Sequence, residues 1–397
     1  MNTSSRTPPL AALLAAAFLA AALAACDNEF GIISSIQAEK EQTGTKLFLN
    51  TTVTKALAFN GSIYASSSRL YSRPASGGAW AAVPVASRSD YAILSIAASA
   101  TKLYAAVLDS SGTGKVFGYD GASWTEVGLP TDIAAPDTFL VDALFSAGTE
   151  IYAQAHVTDP DGASRYTLYR LSSGALSAAV AGMVGIDSPV AGVAERVPGE
   201  FWYVARGTSS TAALSAKVMT GTNAAASTDH ATTGLVPLGL AAGTKINRIA
   251  VGGTVLYLGA TDGALYAYGG TAWSSGKPGG DDGIPLGAIA LVSDGGADRL
   301  LVGTDTVSST EAADGYYEGS SGGSVLGWSF ASGSDGAFAQ SSSVYSTTIT
   351  GKPVLGFLHD AANGTLYACL APGASGGIYG LYSTKLESGA WTGWRAE

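Results

Sequence analysis

The chain has 397 residues, too many for one small core and enough for two ordinary domains or one large repeat fold. Only 13% of its residues are charged and 47% are hydrophobic, which excludes a disordered chain; the 52 glycines, with sparse helix formers, point away from an all-helical protein and towards short strands and tight turns. Acids outnumber bases 31 to 21, so there is no basic nucleic-acid footprint, and three histidines with two cysteines leave little for a His/Cys metal site.

Met1 to Pro9 is polar and carries one cation, Arg6. Leu10 to Ala25 is an unbroken apolar run of 16 residues. That falls short of the about 20 needed to span a bilayer and suits the apolar region of a signal peptide. The run ends in Leu23-Ala24-Ala25-Cys26, which resembles the lipobox of bacterial lipoproteins. The resemblance implies a signal peptide over 1–25, cleavage before Cys26, and a diacylglycerol thioether on its sulfur with an added acyl chain such as palmitate. It also implies a protein held to a membrane of the cell envelope, facing the periplasm or the exterior. Two or three acyl chains anchor stably, at ~0.8 kcal/mol per buried CH₂. An ordinary secretory signal with a chance cysteine is the alternative. Residues 26–44 are polar and read as a tether.

From residue 45 to 397 the chain repeats. A short strand built on an apolar-aromatic pair recurs at Ile63-Tyr64, Leu103-Tyr104, Ile151-Tyr152, Trp202-Tyr203, Leu256-Tyr257 and Leu366-Tyr367, with Leu300-Leu301 in the same place once. A small apolar run precedes each pair, as at Ala56–Phe59 and Ile246–Val251. A second aromatic strand usually follows, such as Val116–Tyr119 or Val325–Trp328, and then a glycine turn and a tryptophan, as at Trp80, Trp124, Trp273 and Trp391. The mean step of about 50 residues, with four strands per unit (here a, b, c and d), predicts an all-β fold: a single β-propeller of about seven blades. Two stacked β-sandwiches are the alternative. The fourth unit, from Val190, lacks its tryptophan after the glycine turn.

The c–turn–d pieces, such as Val116-Phe117-Gly118-Tyr119-Asp120-Gly121-Ala122-Ser123-Trp124, resemble blades of the two-component-regulator propellers. Tyr71 to Trp80 is similar to a worn Asp-box of the sialidases, although most of the turns lack the aspartate. These resemblances imply an extracytoplasmic ligand-binding or sensing ring without a defined activity.

Strand direction puts the a–b and c–d turns on one face and the b–c and d–a connections on the other. The second set is the longer: 131–137, 159–164, 221–244, 274–285 and 307–323. Insertions gathered on one face of a repeat fold point to a binding surface. That face is expected to be acidic, through Asp132, Asp137, Asp159, Asp161, Asp281, Asp282, Glu311, Asp314 and Glu318, with Tyr316 and Tyr317 as aromatic contacts on its long loop. Aspartates are also ordinary turn residues, and the two tyrosines fit equally well folded back onto the blade. Asp159-Pro160-Asp161-Gly162 and Asp281-Asp282-Gly283 have only a faint calcium-loop character, and no other cofactor is implied. The inner strands carry Asp142, Glu195, Arg196, Arg248, His359 and Asp360, candidates for lining the central channel. Two G-x-S-x-G matches, at 319–323 and 373–377, precede strands and lack the helix that a nucleophile elbow needs. Cys369 sits in a b strand and reads as packing.

The sequence therefore predicts a lipid-anchored, non-catalytic ring that binds a protein or glycan through its loop-rich acidic face, and no nucleic acid. The alternatives are a propeller glycoside hydrolase or lyase working through the central channel, and a scaffold subunit of an envelope complex.

Overall fold

Leu49–Glu397 forms one compact unit. The computed structural model describes residues 52–130, 139–158, 164–207, 216–223, 225–229, 245–278, 283–294, 297–306, 313–323, 327–329, 349, 351–372, 379–387 and 390–397. Blade 1 is β1 (Lys55–Phe59), β2 (Ser62–Ser66), β3 (Leu70–Pro74) and β4 (Ala81–Ala82). Blade 2 is β5 (Ala92–Ala98), β6 (Leu103–Leu108), β7 (Gly114–Tyr119) and β8 (Trp124–Glu126). Blade 3 is β9 (Leu140–Ala147), β10 (Glu150–Thr158), β11 (Ser164–Ser172) and β12 (Ala175–Ala179). Blade 4 is β13 (Val190–Val197), β14 (Glu200–Ala205), β15 (Lys217–Thr222) and β16 (Ala225–Asp229). Blade 5 is β17 (Ile246–Gly252), β18 (Val255–Ala260), β19 (Leu265–Tyr268) and β20 (Trp273–Gly276). Blade 6 is β21 (Leu286–Asp294), β22 (Ala297–Thr304), β23 (Tyr316–Gly323) and β24 (Gly327–Ser329). Blade 7 is β25 (Val354–Asp360), β26 (Thr365–Leu370), β27 (Gly380–Glu387) and a broken fourth strand, β28 (Ala390–Trp391) with β29 (Arg395–Ala396).

Every blade is an antiparallel meander in chain order. The first strands touch one another in succession, and β25 returns to β1. The molecule is a seven-bladed β-propeller.

Strand alternation explains why the aromatic pair repeats. Side chains at successive strand positions point to opposite faces of a sheet, so in the b strands one member of each pair faces the previous blade and the other the next. Leu103 packs with Tyr64 between blades 1 and 2, while Tyr104 packs with Ile151 between blades 2 and 3. Tyr257 meets Leu300 between blades 5 and 6, and Leu301 meets Leu366 between blades 6 and 7. Burying a large apolar side chain contributes about 1.5–3 kcal/mol, so these shared layers hold neighbouring blades together.

Two sequence assignments shift. In blade 4 the pair is Phe201-Trp202, one residue earlier than expected. Phe201 faces blade 3, and Trp202 packs against Tyr268 and Trp273 of blade 5. A run of three aromatics, Phe201-Trp202-Tyr203, hid the register. In blade 6 the third strand is β23, not Val325–Trp328, and Trp328 belongs to β24, where its indole N–H donates to the Tyr257 hydroxyl at 2.8 Å. Tyr316 and Tyr317 thus lie inside a strand, 0% and 2% exposed, one facing each neighbouring blade. The expected exposed aromatic loop is corrected by the same alternation that governs the b strands.

Crowding at the axis explains the small inner strands. A Cβ on Gly287 would stand 2.5 Å from the Val354 carbonyl oxygen, a backbone atom that cannot swing aside. The last blade can close on the sixth only with glycine there.

Among the described residues no strand is shared between blades 1 and 7, and side chains join them. The Arg73 guanidinium of β3 pairs with the Glu397 carboxylate and donates to the Tyr367 hydroxyl at 2.7 Å. It also lies over the Trp80 and Tyr367 rings, at 5.2 and 5.4 Å. The Trp80 indole donates to the same carboxylate at 3.1 Å. Arg73→Ala would leave a buried carboxylate unpaired, and we expect a loss of about 3 kcal/mol in urea unfolding. Exposed Arg69→Ala should stay within about 0.5 kcal/mol. Equal effects from the two variants would show that closure does not depend on this contact.

Candidate functional site

The seven inner strands enclose an axial cavity of about 350 Å³. Its walls are mostly small or apolar: Ala56, Ala143, Ala191, Ala288, Ile249, Ile289 and Phe357 among them. Two cations enter it. Lys55 extends from blade 1, and its Nζ donates to the Leu144 carbonyl of blade 3 at 3.2 Å. Arg248 extends from blade 5. Its Nε donates to the Gly287 carbonyl of blade 6, and its Nη1 to the Asn247 carbonyl at 3.1 Å. Neither forms an ion pair among the described residues.

Burial and neighbouring cations disturb both charges. Burial, and then Arg248, lowers the Lys55 ammonium to about 8, against a small opposing pull from Cys369. Burial, and then Arg206, also lowers Arg248, with Asp305 opposing. The Cys369 thiol, buried behind this region, is pushed up to about 12 by burial and is chemically quiet. Lys55 is in register with Ser66, the last residue of β2, and Arg248 with Gly259 near the end of β18. Both therefore lie towards the b–c end of the channel, the end with the long connections.

Of the channel candidates named from sequence, Arg248 lines the cavity and the others are placed elsewhere. Asp142 turns to its own blade, accepting from Gln154 Nε2 at 2.7 Å and facing His156 Nδ1 at 2.9 Å. Arg196 clamps blades 4 and 5. It makes a two-pronged contact with Glu200 at 2.6 Å, donates to the Thr254 carbonyl at 3.1 Å, and lies 5.5 Å from the Tyr268 ring. His359 is opposite Leu366, beside the a–b turn at the far end of its strand. Glu195 and Asp360 both cap turns: Glu195 accepts from the Gly199 N–H at 2.7 Å, and Asp360 from Asn363 Nδ2 at 2.7 Å. Short inner strands end within a residue or two of a turn, so their terminal polar groups find turn partners first.

Lys55 was not singled out from sequence. Its signal was the one cation within Val53-Thr54-Lys55-Ala56-Leu57-Ala58-Phe59, an otherwise neutral inner strand.

Between the described strands the a–b and c–d turns have at most six residues (75–80), whereas the b–c connections reach 11 (206–216 and 305–315) and the d–a connections 16 (230–245) and 24 (330–353). Cys26, Asp132, Asp137, Asp159, Asp161, Asp281, Asp282, Glu311 and His230 fall outside the described residues. Asp314 accepts the Tyr317 hydroxyl. Glu318 pairs with Arg299 within β22–β23 and accepts from the Trp391 indole at 3.2 Å, so it joins blades 6 and 7. Gly319-Ser320-Ser321-Gly322-Gly323 lies in β23, which rules out an elbow there. Among the described residues no three His, Cys, Asp or Glu side chains converge as a metal site.

Lys55 gives a pH signature with a definite sign. The unfolded chain releases this proton near 10.5 and the folded chain near 8. Below 8 both states hold it, and the folded state bears the full cost of a buried charge. Between 8 and 10.5 the folded state binds fewer protons, so rising pH removes that cost. In chloride buffer, the stability advantage of Lys55→Met over the parent chain should shrink by about 3 kcal/mol across this window. Parallel pH profiles from denaturant unfolding would refute a strained lysine.

No protein-family model and no curated protein matches the sequence. Solved structures match the fold. A GH74 enzyme from Niastella koreensis superposes with a TM-score of 0.57 at 13% identity, over 87% of this chain and 54% of that one. This chain thus spans about half the length of that enzyme. The WD40 repeats of RRP9 and the U3-55K structure superpose with TM-scores of 0.50 and 0.51, each at 11% identity and over 83% of this chain; the shares of those chains are 93% and 94%. At such identities the likeness is one of fold alone, and it joins this chain to propellers that range from a glycoside hydrolase family to WD40 repeats.

Proposed function

We propose that this chain is a lipid-anchored propeller of a bacterial cell envelope, acting as a non-catalytic module that binds a protein or a glycan on the face carrying its long connections. The observation that carries this reading is the asymmetry of the ring: every b–c and d–a connection opens on one face, and the longest of them are several times the length of any turn on the other. The lipobox-like Leu23–Cys26 supports the anchor. No helix among the described residues is long and apolar enough to cross a membrane. In this reading the aspartates at 159, 161, 281 and 282 give the binding face its negative sign and favour a partner with basic or polar groups. Calcium at these aspartates has little support.

A glycosidase working through the axis needs two carboxylates about 5–10 Å apart. Among the described residues no Asp or Glu lines the axial cavity.

Two measurements test the two parts separately. Growth with an alkynyl palmitate analogue should label the chain, and Cys26→Ser should abolish the label; persistent label would remove the anchor. For the partner, cross-linking in intact envelopes should identify a bound protein or glycan. Replacing Asp159, Asp161, Asp281 and Asp282 by asparagine should reduce its capture by about tenfold. Lys102→Ala and Asp298→Asn, on the short-turn face, should leave capture unchanged. The opposite pattern would move the interface to the other face.

A further inference from the structure

We propose that the axial cavity is a binding site for a small molecule carrying one oxyanion group, a carboxylate or a phosphate, held between Lys55 and Arg248. This site is separate from the partner surface proposed above and does not depend on it.

The first argument is charge. Elsewhere in the ring four half-buried arginines have carboxylates: Arg73 with Glu397, Arg170 with Glu150, Arg196 with Glu200 and Arg299 with Glu318; Arg206, beside Arg248, instead donates to Asn247 Oδ1 at 2.6 Å and adds to the positive charge there. Lys55 and Arg248 hydrogen-bond only to backbone carbonyls, although they share one cavity and Arg248 repels Lys55. Asp305 acts on Arg248 as an opposing charge without forming an ion pair, and Arg206 works against it. Burying like charges together with so little counter-charge is costly, and a bound anion reduces that cost.

The second argument is the supply of donors. Lys55 Nζ has three protons and spends one on Leu144; Arg248 has five N–H groups and spends two on carbonyls. Two serines add to this. Ser95 Oγ accepts from the Leu144 N–H at 3.0 Å and Ser146 Oγ from the Ala98 N–H at 3.1 Å, which leaves each hydroxyl proton free to donate. Both serines line the same cavity. Ser95 and Lys55 both reach Leu144, so two cations and the Ser95 hydroxyl suit an oxyanion, and the guanidinium can meet two of its oxygens at once; Ser146 lies beside the a–b turn, nearer the other end of the channel.

The third argument is size and surroundings. A volume of about 350 Å³ lies at the lower end for small-molecule sites. The wall mixes polar and apolar atoms, so it suits a short body of mixed character behind the charged group. The cations lie near the long-connection end, so a ligand entering from that face keeps its charged group at the mouth and its body deeper in the cavity.

The test uses the full chain in detergent, with inorganic phosphate and butyrate as probes and chloride at matched ionic strength as the reference. Calorimetry should show saturable binding of at least one probe, and the tighter one identifies the oxyanion. Lys55→Met and Arg248→Met should each weaken it by about tenfold or more while melting no lower than the parent. A second measurement needs no variant. Acetylation of Lys55 by acetic anhydride, mapped by mass spectrometry, should slow by about tenfold with the bound probe and not with chloride. Binding no stronger than that of chloride for both probes, full binding by both variants, or unprotected Lys55 would each overturn the proposal.

Discussion

Everything in this ring depends on one constraint: each sheet must bury both of its faces, and its only partners are the two neighbouring sheets. A β-strand shows its side chains to alternate sides, so adjacent residues serve different neighbours. Leu103 and Tyr104 are consecutive in the chain but belong to different interfaces. A blade is thus incomplete until both neighbours are present, and the seven stand or fall together. Polar tips on the aromatic layers fix the alignment. Tyr152 and Tyr203 place their hydroxyls 3.3 Å apart and both reach the Asn223 carbonyl, while burial holds the Tyr152 phenol well above its ordinary value.

The same constraint shows why much of the fold was legible in the sequence. The apolar-aromatic pair recurs because the geometry of the interface recurs, and the glycine turn before each tryptophan recurs because each blade must turn back on itself. Where local composition was uniform, the register was lost. Three aromatics in a row in β14 allowed the pair to be placed one residue late, and glycine-serine sequence around β23 concealed a strand. Tyr316 and Tyr317 were read as a loop because their neighbours are turn formers, yet their own bulk places them in the interfaces on either side.

The candidate site was less legible, for a related reason. Sequence can place a charged residue on an inner strand but cannot say which way it turns. Arg196 and Arg248 looked alike: each is an arginine in a first strand. Glu200, Thr254 and Tyr268 draw Arg196 into the seam between blades 4 and 5, while Arg248 finds only carbonyls and stays at the axis. Lys55 is equally plain in the sequence, but its significance depends on a second cation contributed from almost two hundred residues away. Charge that is balanced within a blade supports the architecture; charge that remains unbalanced at the axis is available to something else.

Six of the seven seams are bridged by the polypeptide itself, because each blade runs on into the next. Among the described residues the seam between the last blade and the first has no such backbone link, and Arg73, Glu397 and the aromatic rings around them reinforce the packing of β25 against β1. The propeller behaves mechanically as a bracelet with a clasp. Local opening should begin there, so the ring has a preferred point of entry for proteases.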